Sequence, residues 1–322
     1  MGLFDGVLDR SILYAFDRSG YLRHQRAFDP ADLECSMRGK VCLVTGANSG
    51  LGRAIATGLA RRDATVHLLC RDPERGSAAR DAIADETRNP HVHLDLVDVS
   101  SLASIRDFAG HLEAPRVDVL VHNAGVLPPE RELTPDGLEL TVATHLVGPF
   151  LLTSLLRSKL RAARVVFVSS GGMYAKRLDL DAMLSTAGPY DGVAAYAYTK
   201  RGQVVLSEMW ARELSAAGTI VNAMHPGWAA TKAVERSLPR FWRLMRKRLR
   251  TPEQGADTAL WLAVAERVAG ETGKFWFDRR PVPTHLLRRT RERGDERERL
   301  WRWCEAHARG ATSPLADPGD AA

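Results

Sequence analysis

The stretch that decides the fold reads VCLVTGANSGLGR and spans residues 41–53. It begins with an apolar, β-branched run that is typical of a buried strand. Gly46, Gly50 and Gly52 follow at once, and the segment Leu51–Arg61 predicts a helix. Glycine permits a tight turn and lets a ligand lie close to the backbone. Because the first amides of a helix attract anions, this strand, turn and helix predict a site for a phosphate-bearing ligand.

The same alternation of strand and helix continues along the chain. Further apolar runs lie at Val66–Cys70, Val92–Leu96, Val117–Val121, Val165–Val168 and Ile220–Ala223, with a last strand expected at Gly273–Phe277. Helical segments separate them, at Ala78–Glu86, Leu102–Leu112, Leu138–Leu160, Ala194–Leu214 and from Thr251 to Leu262. Apolar runs without alternation suit strands buried on both faces. The sequence therefore predicts an α/β fold with a doubly wound parallel sheet of the Rossmann type.

Extensions flank this single predicted domain, which covers residues 39–285. Residues 1–38 form an N-terminal extension in which apolar residues from Phe4 to Phe16 recur at helical spacing. We expect one amphipathic helix there that packs on the domain, with contact to a membrane or a partner as the alternative. Residues 286–322 form a C-terminal extension, in which Asp295–His307 predicts a helix before a loose tail.

Composition limits the function classes. The chain has 322 residues with 45 basic and 39 acidic side chains, a net charge of +6. This mild excess suits an anionic cofactor or a lipid surface, and no nucleic-acid motif accompanies it. The four cysteines have no metal-ligand spacing, so we expect free thiols and no metal. No apolar segment predicts a secretory leader or a membrane span, which favours a cytoplasmic protein, with peripheral membrane contact as the alternative.

A second motif, Tyr196-x3-Lys200, lies in the segment 194–214. Residues four apart share one face of a helix, so the Lys200 ammonium can approach the Tyr196 phenol. A nearby cation favours phenolate and lowers the pKa of a phenol. We therefore expect Tyr196 to act as a general acid or base near neutral pH.

Together these motifs resemble the short-chain dehydrogenase/reductase family. The family's glycine motif matches Thr45-Gly46-x3-Gly50-x-Gly52, and its later motifs match Ser169-Ser170 and Pro226-Gly227-x3-Thr231. The resemblance covers roughly residues 38–285. The runs Cys70-Arg71-Asp72 and 102–106 are similar to those of the retinol-dehydrogenase-like members. The resemblance to this family implies that the chain is a nicotinamide-dependent oxidoreductase.

The resemblance also implies how the cofactor is bound. The glycine turn holds the pyrophosphate, Asp98 and Val99 flank the adenine ring, and the segment from Pro226 to Thr231 holds the nicotinamide carboxamide. The implied cofactor-binding set is Gly46, Asn48, Ser49, Gly50, Leu51, Gly52, Arg71, Asp98, Val99, Asn123, Ala124, Gly125, Tyr196, Lys200, Pro226, Gly227 and Thr231.

The end of the second strand indicates which dinucleotide binds. NAD enzymes place an acid there for the ribose 2′-hydroxyl. This chain has Cys70 at the matching position and Arg71 next, and a guanidinium suits a 2′-phosphate. We therefore expect NADP(H). Two alternatives stay open: Arg71 is a solvated loop charge, or Asp72 serves an NAD(H) ribose.

The resemblance assigns the chemistry to a short set of residues. Ser170 hydrogen-bonds the substrate oxygen, Tyr196 transfers the proton and Lys200 supports it. The family's fourth catalytic residue, an asparagine that holds a water, is replaced by His145. Either the proton relay is rebuilt around this imidazole, or turnover is impaired and the protein mainly binds a nucleotide.

The substrate side is the least defined part of the prediction. Residues 232–250 are expected to form a lid, and its stretch 240–250 is basic and amphipathic. With Trp228 and Met173 it suggests an apolar carbonyl or alcohol, either collected from a membrane surface or covered by the lid. An oligomer is compatible with the sequence.

Overall fold

The computed structural model of this protein describes residues 12–185, 188–231, 235 and 237–310, and nothing is stated of the others. Eight strands in this part form one sheet in the order β3-β2-β1-β4-β5-β6-β7-β8. All neighbours are parallel except β7 and β8. The strands are β1 (Val41–Thr45), β2 (Thr65–Cys70), β3 (Val92–Leu96), β4 (Val119–His122), β5 (Arg164–Val168), β6 (Ile220–Met224), β7 (Phe275–Phe277) and β8 (Arg280–Pro281).

Helices cover both faces of this sheet. They are α1 (Ile12–Phe16), α2 (Arg18–His24), α3 (Gly50–Ala60), α4 (Pro73–Thr87), α5 (Leu102–His111), α6 (Leu140–Val142), α7 (Gly148–Leu155), α8 (Leu180–Leu184), α9 (Gly192–Glu213), α10 (Pro239–Met245), α11 (Pro252–Val264) and α12 (Glu296–Ala308). Short 3₁₀ turns occur at Gln25–Ala27, Pro30–Leu33, Gly171–Ala175, Ser215–Ala217, Glu266–Val268 and Arg288–Thr290. The predicted doubly wound fold is confirmed.

Two apolar cores explain why the strands lack alternation. The central strands are buried, and successive side chains point to opposite faces, as Leu43 and Val44 do. One core lies under α5, α7, α9 and α12, and the other lies under α3 and α11. Because β1 pairs with both β2 and β4, the connections reverse direction there. This reversal opens a crevice at the carboxyl ends of the strands, where ligands bind in such sheets.

Some predicted elements differ from the structure. The helix expected at Leu138–Leu160 runs only from Leu140 to Leu155 and contains a π-helical segment, Ala143–Val147. The helix expected at Ala78–Glu86 begins earlier, at Pro73, because the Asp72 side chain caps it. In the lid the helix α10 ends at Met245, and residues 232–234 and 236 lie outside the described part. Strand β8 was not predicted, since a two-residue strand leaves almost no pattern.

The described part of the N-terminal extension packs on the domain, as favoured. The helix expected from Phe4 to Phe16 is described only over α1, Ile12–Phe16, and a second helix, α2, follows it. The described part breaks at Asp17, whose carboxylate accepts hydrogen bonds from Ser19 N and Gly20 N and so begins α2. Residues 1–11 lie outside the described part. The Asp17 carboxylate also pairs with Arg248, 2.6 Å away, which ties the extension to the lid.

A buried ion pair joins the extension to the far edge of the sheet. Arg250 donates to both carboxylate oxygens of Asp278, at 2.5 and 2.9 Å, and to the carbonyls of Ala15 and Phe16. His24 Nδ1 lies 2.6 Å from the same carboxylate. Burial would raise the pKa of Asp278, but Arg250 and His24 hold it below its ordinary value.

The C-terminal extension covers the opposite side of the domain. Helix α12 packs against α7 and α9, where the rings of Phe150, Trp210 and Trp301 lie within 5.0 Å of one another, centre to centre. Among the residues that the structure describes, no helix combines the length and the apolar character needed to cross a bilayer.

Candidate active site

The glycine turn after β1 forms a cradle at the start of α3. Gly46 and Gly50 have φ values of +66° and +55°, which other residues rarely adopt. A Cβ at Gly52 would lie 2.4 Å from both the side-chain nitrogen of Asn123 and the Gly46 carbonyl oxygen, which is too close for any residue but glycine. Ser49 precedes the helix without a side-chain cap, so its first-turn amides can serve an anion. The cradle therefore fits a dinucleotide pyrophosphate.

The segment after β4 supports the cradle from the side. The Asn123 side chain donates to the Thr45 carbonyl at 2.9 Å, and the Thr45 hydroxyl accepts from the amides of Asn123 and Ala124. A Cβ at the next residue, Gly125, would lie 3.6 Å from the Lys200 ammonium. The Asn123 side chain thus braces the turn, and the backbone of residues 123–125 leads from the cradle to the vicinity of Lys200.

At the end of β2 the Arg71 side chain is exposed, whereas the Asp72 carboxylate is engaged in a backbone hydrogen bond. The buried Cys70 thiol takes hydrogen bonds from the amides of Ala47 and Asn48, and burial raises its pKa to about 11. Arg71 follows and is exposed. The Asp72 carboxylate accepts from a backbone amide in the first turn of α4, at 2.9 Å. This capping role weakens the alternative in which Asp72 serves a ribose hydroxyl.

The turn after β3 holds the next two predicted residues. The Asp98 carboxylate accepts from the amide and hydroxyl of Ser100, and the Asp98 amide donates to the Ser104 hydroxyl at 3.0 Å. Val99 is buried beside it. These bonds fix the shape of the turn, and the adenine contact of both residues stays a prediction.

Ser170, Tyr196 and Lys200 meet at the carboxyl end of β5. The Ser170 hydroxyl hydrogen-bonds the Tyr196 phenol and also accepts from the Gly172 amide at 3.1 Å. Tyr196 and Lys200 share a face of α9, with the ammonium 5.5 Å from the centre of the phenol ring. The buried Lys200 donates to the Val168 carbonyl at 2.9 Å. A hydroxyl, a phenol and an ammonium therefore occupy one site.

The electrostatics of this site differ from the expectation. Burial raises the pKa of Tyr196 above its ordinary value, and the Ser170 hydrogen bond offsets only part of that rise. Burial also lowers the pKa of Lys200 to about 7. The expected lowering of the phenol pKa is wrong here, because the effect of burial is the largest, and two of the ammonium hydrogens are directed at the Val168 carbonyl and at Gln203. The phenol therefore carries its proton at neutral pH.

The imidazole of His145 lies beside this pair, in the π-helical segment. Its ring centre is 5.4 Å from that of Tyr196. Nε2 accepts from the Val126 amide at 3.0 Å, and Nδ1 lies 2.8 Å from the Thr199 hydroxyl. Burial, and then the Lys200 charge, lower the pKa of His145 well below its ordinary value. The ring is therefore neutral at physiological pH.

The loop after β6 faces the cradle. Thr231 packs on the glycine turn, since a Cβ at Gly50 would lie 3.3 Å from its methyl group. The Trp228 amide donates to the Phe16 carbonyl at 2.8 Å, and the Trp228 carbonyl accepts from the Arg250 amide at 2.8 Å. The segment from Pro226 to Thr231 is thus held by the N-terminal extension and by Arg250.

The two predicted substrate residues are placed differently. Trp228 is half-buried, and its ring packs edge-on against Phe16 and against Phe241 of the lid. Met173 is fully buried in the larger core. A substrate contact by Met173 is not supported by this position, because the side chain packs inward after the turn at Ser170. The lid also contacts the segment after β4, through the Ser237 hydroxyl and the Leu127 carbonyl.

Sequence reasoning missed two features of the site. Gln203 is buried and accepts from Lys200 at 2.9 Å, and its only sequence signal is the three-residue helical spacing. The Arg250–Asp278 pair spans 28 residues and leaves no local signal. No group of three or more metal-ligand side chains occurs in the described ranges.

Comparison with known proteins identifies the family. A family model described as Enoyl-(Acyl carrier protein) reductase matches residues 46–274. The chain is 42% identical to Dehydrogenase/reductase SDR family member 12 of Bos taurus, over 92% of this chain and 95% of that protein. It is 37% identical to Retinol dehydrogenase 13 of Homo sapiens, over 76% and 77%.

Solved structures agree with this result. An uncharacterised protein from Mycobacterium paratuberculosis aligns with a TM-score of 0.69 and 29% identity, covering 85% of this chain and 95% of that one. A protein assigned as an NAD(P)-dependent gluconate 5-dehydrogenase from Beutenbergia cavernae, with NADP bound at low occupancy, aligns with a TM-score of 0.59 and 28% identity, over 74% and 95%. The chain belongs to the short-chain dehydrogenase/reductase family, a family of oxidoreductases that act on CH–OH groups with NAD(P).

Proposed function

We propose that this protein is an NADP(H)-dependent carbonyl reductase or alcohol dehydrogenase for an apolar substrate. One observation carries the proposal: the Tyr196 phenol, the Ser170 hydroxyl and the Lys200 ammonium share one site next to the glycine cradle, with Lys200 buried and the other two half-buried. Each group has the chemistry that reduction of a carbonyl requires.

The residues divide the work as follows. The glycine cradle and the segment from Pro226 to Thr231 would hold the dinucleotide, whose reduced nicotinamide would supply the hydride for the carbonyl carbon. Ser170 donates a hydrogen bond to the carbonyl oxygen and so orients it. Tyr196 releases its proton to that oxygen as negative charge develops there, and Lys200 stabilises the phenolate that forms. In the oxidation direction Tyr196 takes the proton back. The raised pKa of Tyr196 keeps the acid form present for reduction at neutral pH.

The preference for NADP(H) depends on Arg71. This residue is exposed at the end of β2, and the neighbouring carboxylate of Asp72 is used in capping α4. A guanidinium pairs well with a phosphate by charge and by geometry. The backbone of the cradle, including Asn48 and Leu51, would hold the pyrophosphate of either dinucleotide.

Replacing Arg71 by Ala should therefore weaken the binding of NADPH and leave the binding of NADH unchanged. A charge-assisted hydrogen bond contributes about 1.5–3 kcal/mol, so we expect a loss of about 10- to 100-fold in NADPH affinity. Nicotinamide fluorescence titrations with both dinucleotides measure it. Arg80→Ala, an exposed arginine further along α4, is the control and should change neither affinity. Equal losses for both dinucleotides would show that Arg71 does not read the 2′-phosphate.

The competing function is a protein that binds a dinucleotide but does little chemistry, and it is motivated by His145. A screen of aldehydes, ketones and retinoids with NADPH separates the two. Clear turnover of an apolar carbonyl supports the reductase and rejects the binding protein. Saturable NADPH binding without turnover of any of these substrates would favour the competing function.

Membrane contact is the second part of the proposal. The lid segment exposes Arg240, Arg243, Arg246 and Lys247, and Leu244 among them is 81% exposed. A basic surface with an exposed apolar residue suits an anionic bilayer. Trp228, at the inner side of this segment, would then face substrate that enters from the lipid.

We expect the protein to sediment with vesicles that contain phosphatidylserine and not with phosphatidylcholine alone. Added salt should weaken the binding, because it screens exposed charge. Arg243→Glu with Arg246→Glu should abolish sedimentation, and Arg88→Glu, an exposed site on the helix-α4 side of the domain, is the control. Equal recovery with both kinds of vesicle, or none with either, would contradict an electrostatic membrane surface.

A further inference from the structure

The Lys200 ammonium is held by a glutamine that the family motif does not include. Lys200 Nζ has three hydrogens. One donates to the Val168 carbonyl at 2.9 Å and another to Gln203 Oε1 at 2.9 Å. Gln203 is fully buried, and it lies three residues on along the same face of α9. One ammonium hydrogen is left for the reaction side.

The amide group of Gln203 is placed for this contact alone. Its Nε2 is buried and finds no hydrogen-bond partner among the described residues. A buried polar group that is half satisfied is unfavourable, and an apolar side chain of the same shape would avoid that cost. The hydrogen bond that Oε1 accepts from the Lys200 ammonium offsets this cost.

His145 has no nitrogen left for a proton relay. Because Nε2 accepts from the Val126 amide, Nε2 carries no hydrogen, and Nδ1–H donates to the Thr199 hydroxyl. That hydroxyl donates in turn to the backbone carbonyl of Ala195 or Tyr196 within α9. The hydrogen-bonded chain therefore ends in the helix backbone, and it reaches neither Lys200 nor solvent.

We propose that Gln203 is the positioning residue for the Lys200 ammonium, and that His145 is a structural acceptor for the Val126 amide that stays outside the proton path. The inference rests on the proposed roles of Tyr196 and Lys200. It assigns to Gln203 the control of when Lys200 is charged.

The groups around the ammonium allow the influence of Gln203 on the Lys200 charge to be measured. His145, from the π-helical segment, and Tyr196, on α9 itself, are the titratable groups that face it. The end of β5 contributes the Val168 carbonyl, and the segment after β4 contributes Gly125. Within the described part of the chain no carboxylate influences Lys200. A change at Gln203 therefore changes one of the two hydrogen bonds that the ammonium donates, and the only one of the two that goes to a side chain.

The test is the alkaline limb of the pH profile in Gln203→Glu and Gln203→Met. Lys200 is charged below its pKa, and this charge is lost as the pH rises. A carboxylate at position 203 should raise the pKa of the Lys200 ammonium by about 1–3 units, as a close opposite charge does. The alkaline limb should then move to higher pH. Methionine removes the hydrogen-bond acceptor, so the alkaline limb should move to lower pH, and kcat should fall about tenfold or more. Ser207→Ala, one turn further along α9, is the control and should leave the limb in place.

The pH dependence of NADPH affinity supplies a second readout that needs no turnover. The same shifts should appear there, because a charged Lys200 favours the bound anion. If both variants fold and bind NADPH, but neither limb moves, Gln203 only fills space and the inference is wrong. If the affinity limb shifts while wild type turns over nothing, the inference holds and the proposed function fails.

His145→Gln keeps an acceptor for the Val126 amide and removes the imidazole. We expect an unchanged alkaline limb and an unchanged solvent isotope effect on kcat, because the ring passes no proton. A larger isotope effect, or a limb that moves as far as in Gln203→Glu, would place His145 in the proton path and overturn its structural role.

Discussion

Tyr196→Phe should lower kcat by about a thousandfold, in the middle of the range that general acid catalysis contributes. The substitution removes one oxygen and keeps the ring against His145. The carbonyl oxygen then has no proton donor when the hydride arrives. NADPH affinity should stay within about threefold, because the loss concerns the transition state. Steady-state kinetics and a fluorescence titration of the same preparation measure both quantities.

Tyr198→Phe is the matched control for this experiment. Tyr198 lies two residues along α9, and its ring contacts Lys176 instead of the reaction centre. We expect wild-type kinetics for this variant. Tyr196→Phe with undiminished kcat would remove the phenol from the mechanism, and equal losses in both variants would indicate a disturbed helix.

Arg250→Met should cause the largest loss of stability. Methionine fits the volume of the stem but leaves the buried Asp278 carboxylate without its guanidinium, and it leaves the Ala15 and Phe16 carbonyls with one donor fewer. Removing one partner of a buried pair costs about 3–5 kcal/mol. In a domain of this size that corresponds to a fall in Tm of roughly 5–10 °C. Thermal and urea unfolding measure it.

The double variant Arg250→Met with Asp278→Asn tests the cause. It removes both charges, so it should lose clearly less stability than Arg250→Met alone. Arg246→Met, an exposed neighbour, controls for the loss of one charge and should stay within about 0.5 kcal/mol of wild type. A loss below about 1 kcal/mol in Arg250→Met would show that the extension is not anchored by this pair.

The sheet could be predicted because its signals are local. The runs at β1, β4, β5 and β6 are mostly apolar, as strands covered on both faces must be. At the edge of the sheet β3 alternates instead, since His93 and Asp95 separate its apolar residues. Helix caps such as Thr251 are equally local, and the observed capping box begins α11 one residue later. The π-helical segment could not be predicted, because its one extra residue per turn leaves no distinct periodicity.

The site was predictable where motifs bring their own geometry. Gly46, Gly50 and Gly52 meet steric demands of the backbone that no other residue satisfies as well. The phenol pKa was mispredicted, because spacing on a helix gives neighbours but not the direction in which an ammonium points or the cost of burial. Gln203 and the pair Arg250–Asp278 depend on tertiary contacts alone.

The central claim is that this site moves a hydride between nicotinamide and a carbonyl carbon while Tyr196 moves the proton. The most direct measurement uses NADPH that carries deuterium at both C4 positions of the nicotinamide ring, together with an apolar aldehyde from the screen. The account predicts an alcohol with deuterium on its carbinol carbon, formed in equal amount to the oxidised dinucleotide, and almost none of it with Tyr196→Phe. An alcohol without the label, or the same labelled yield from both proteins, would contradict it.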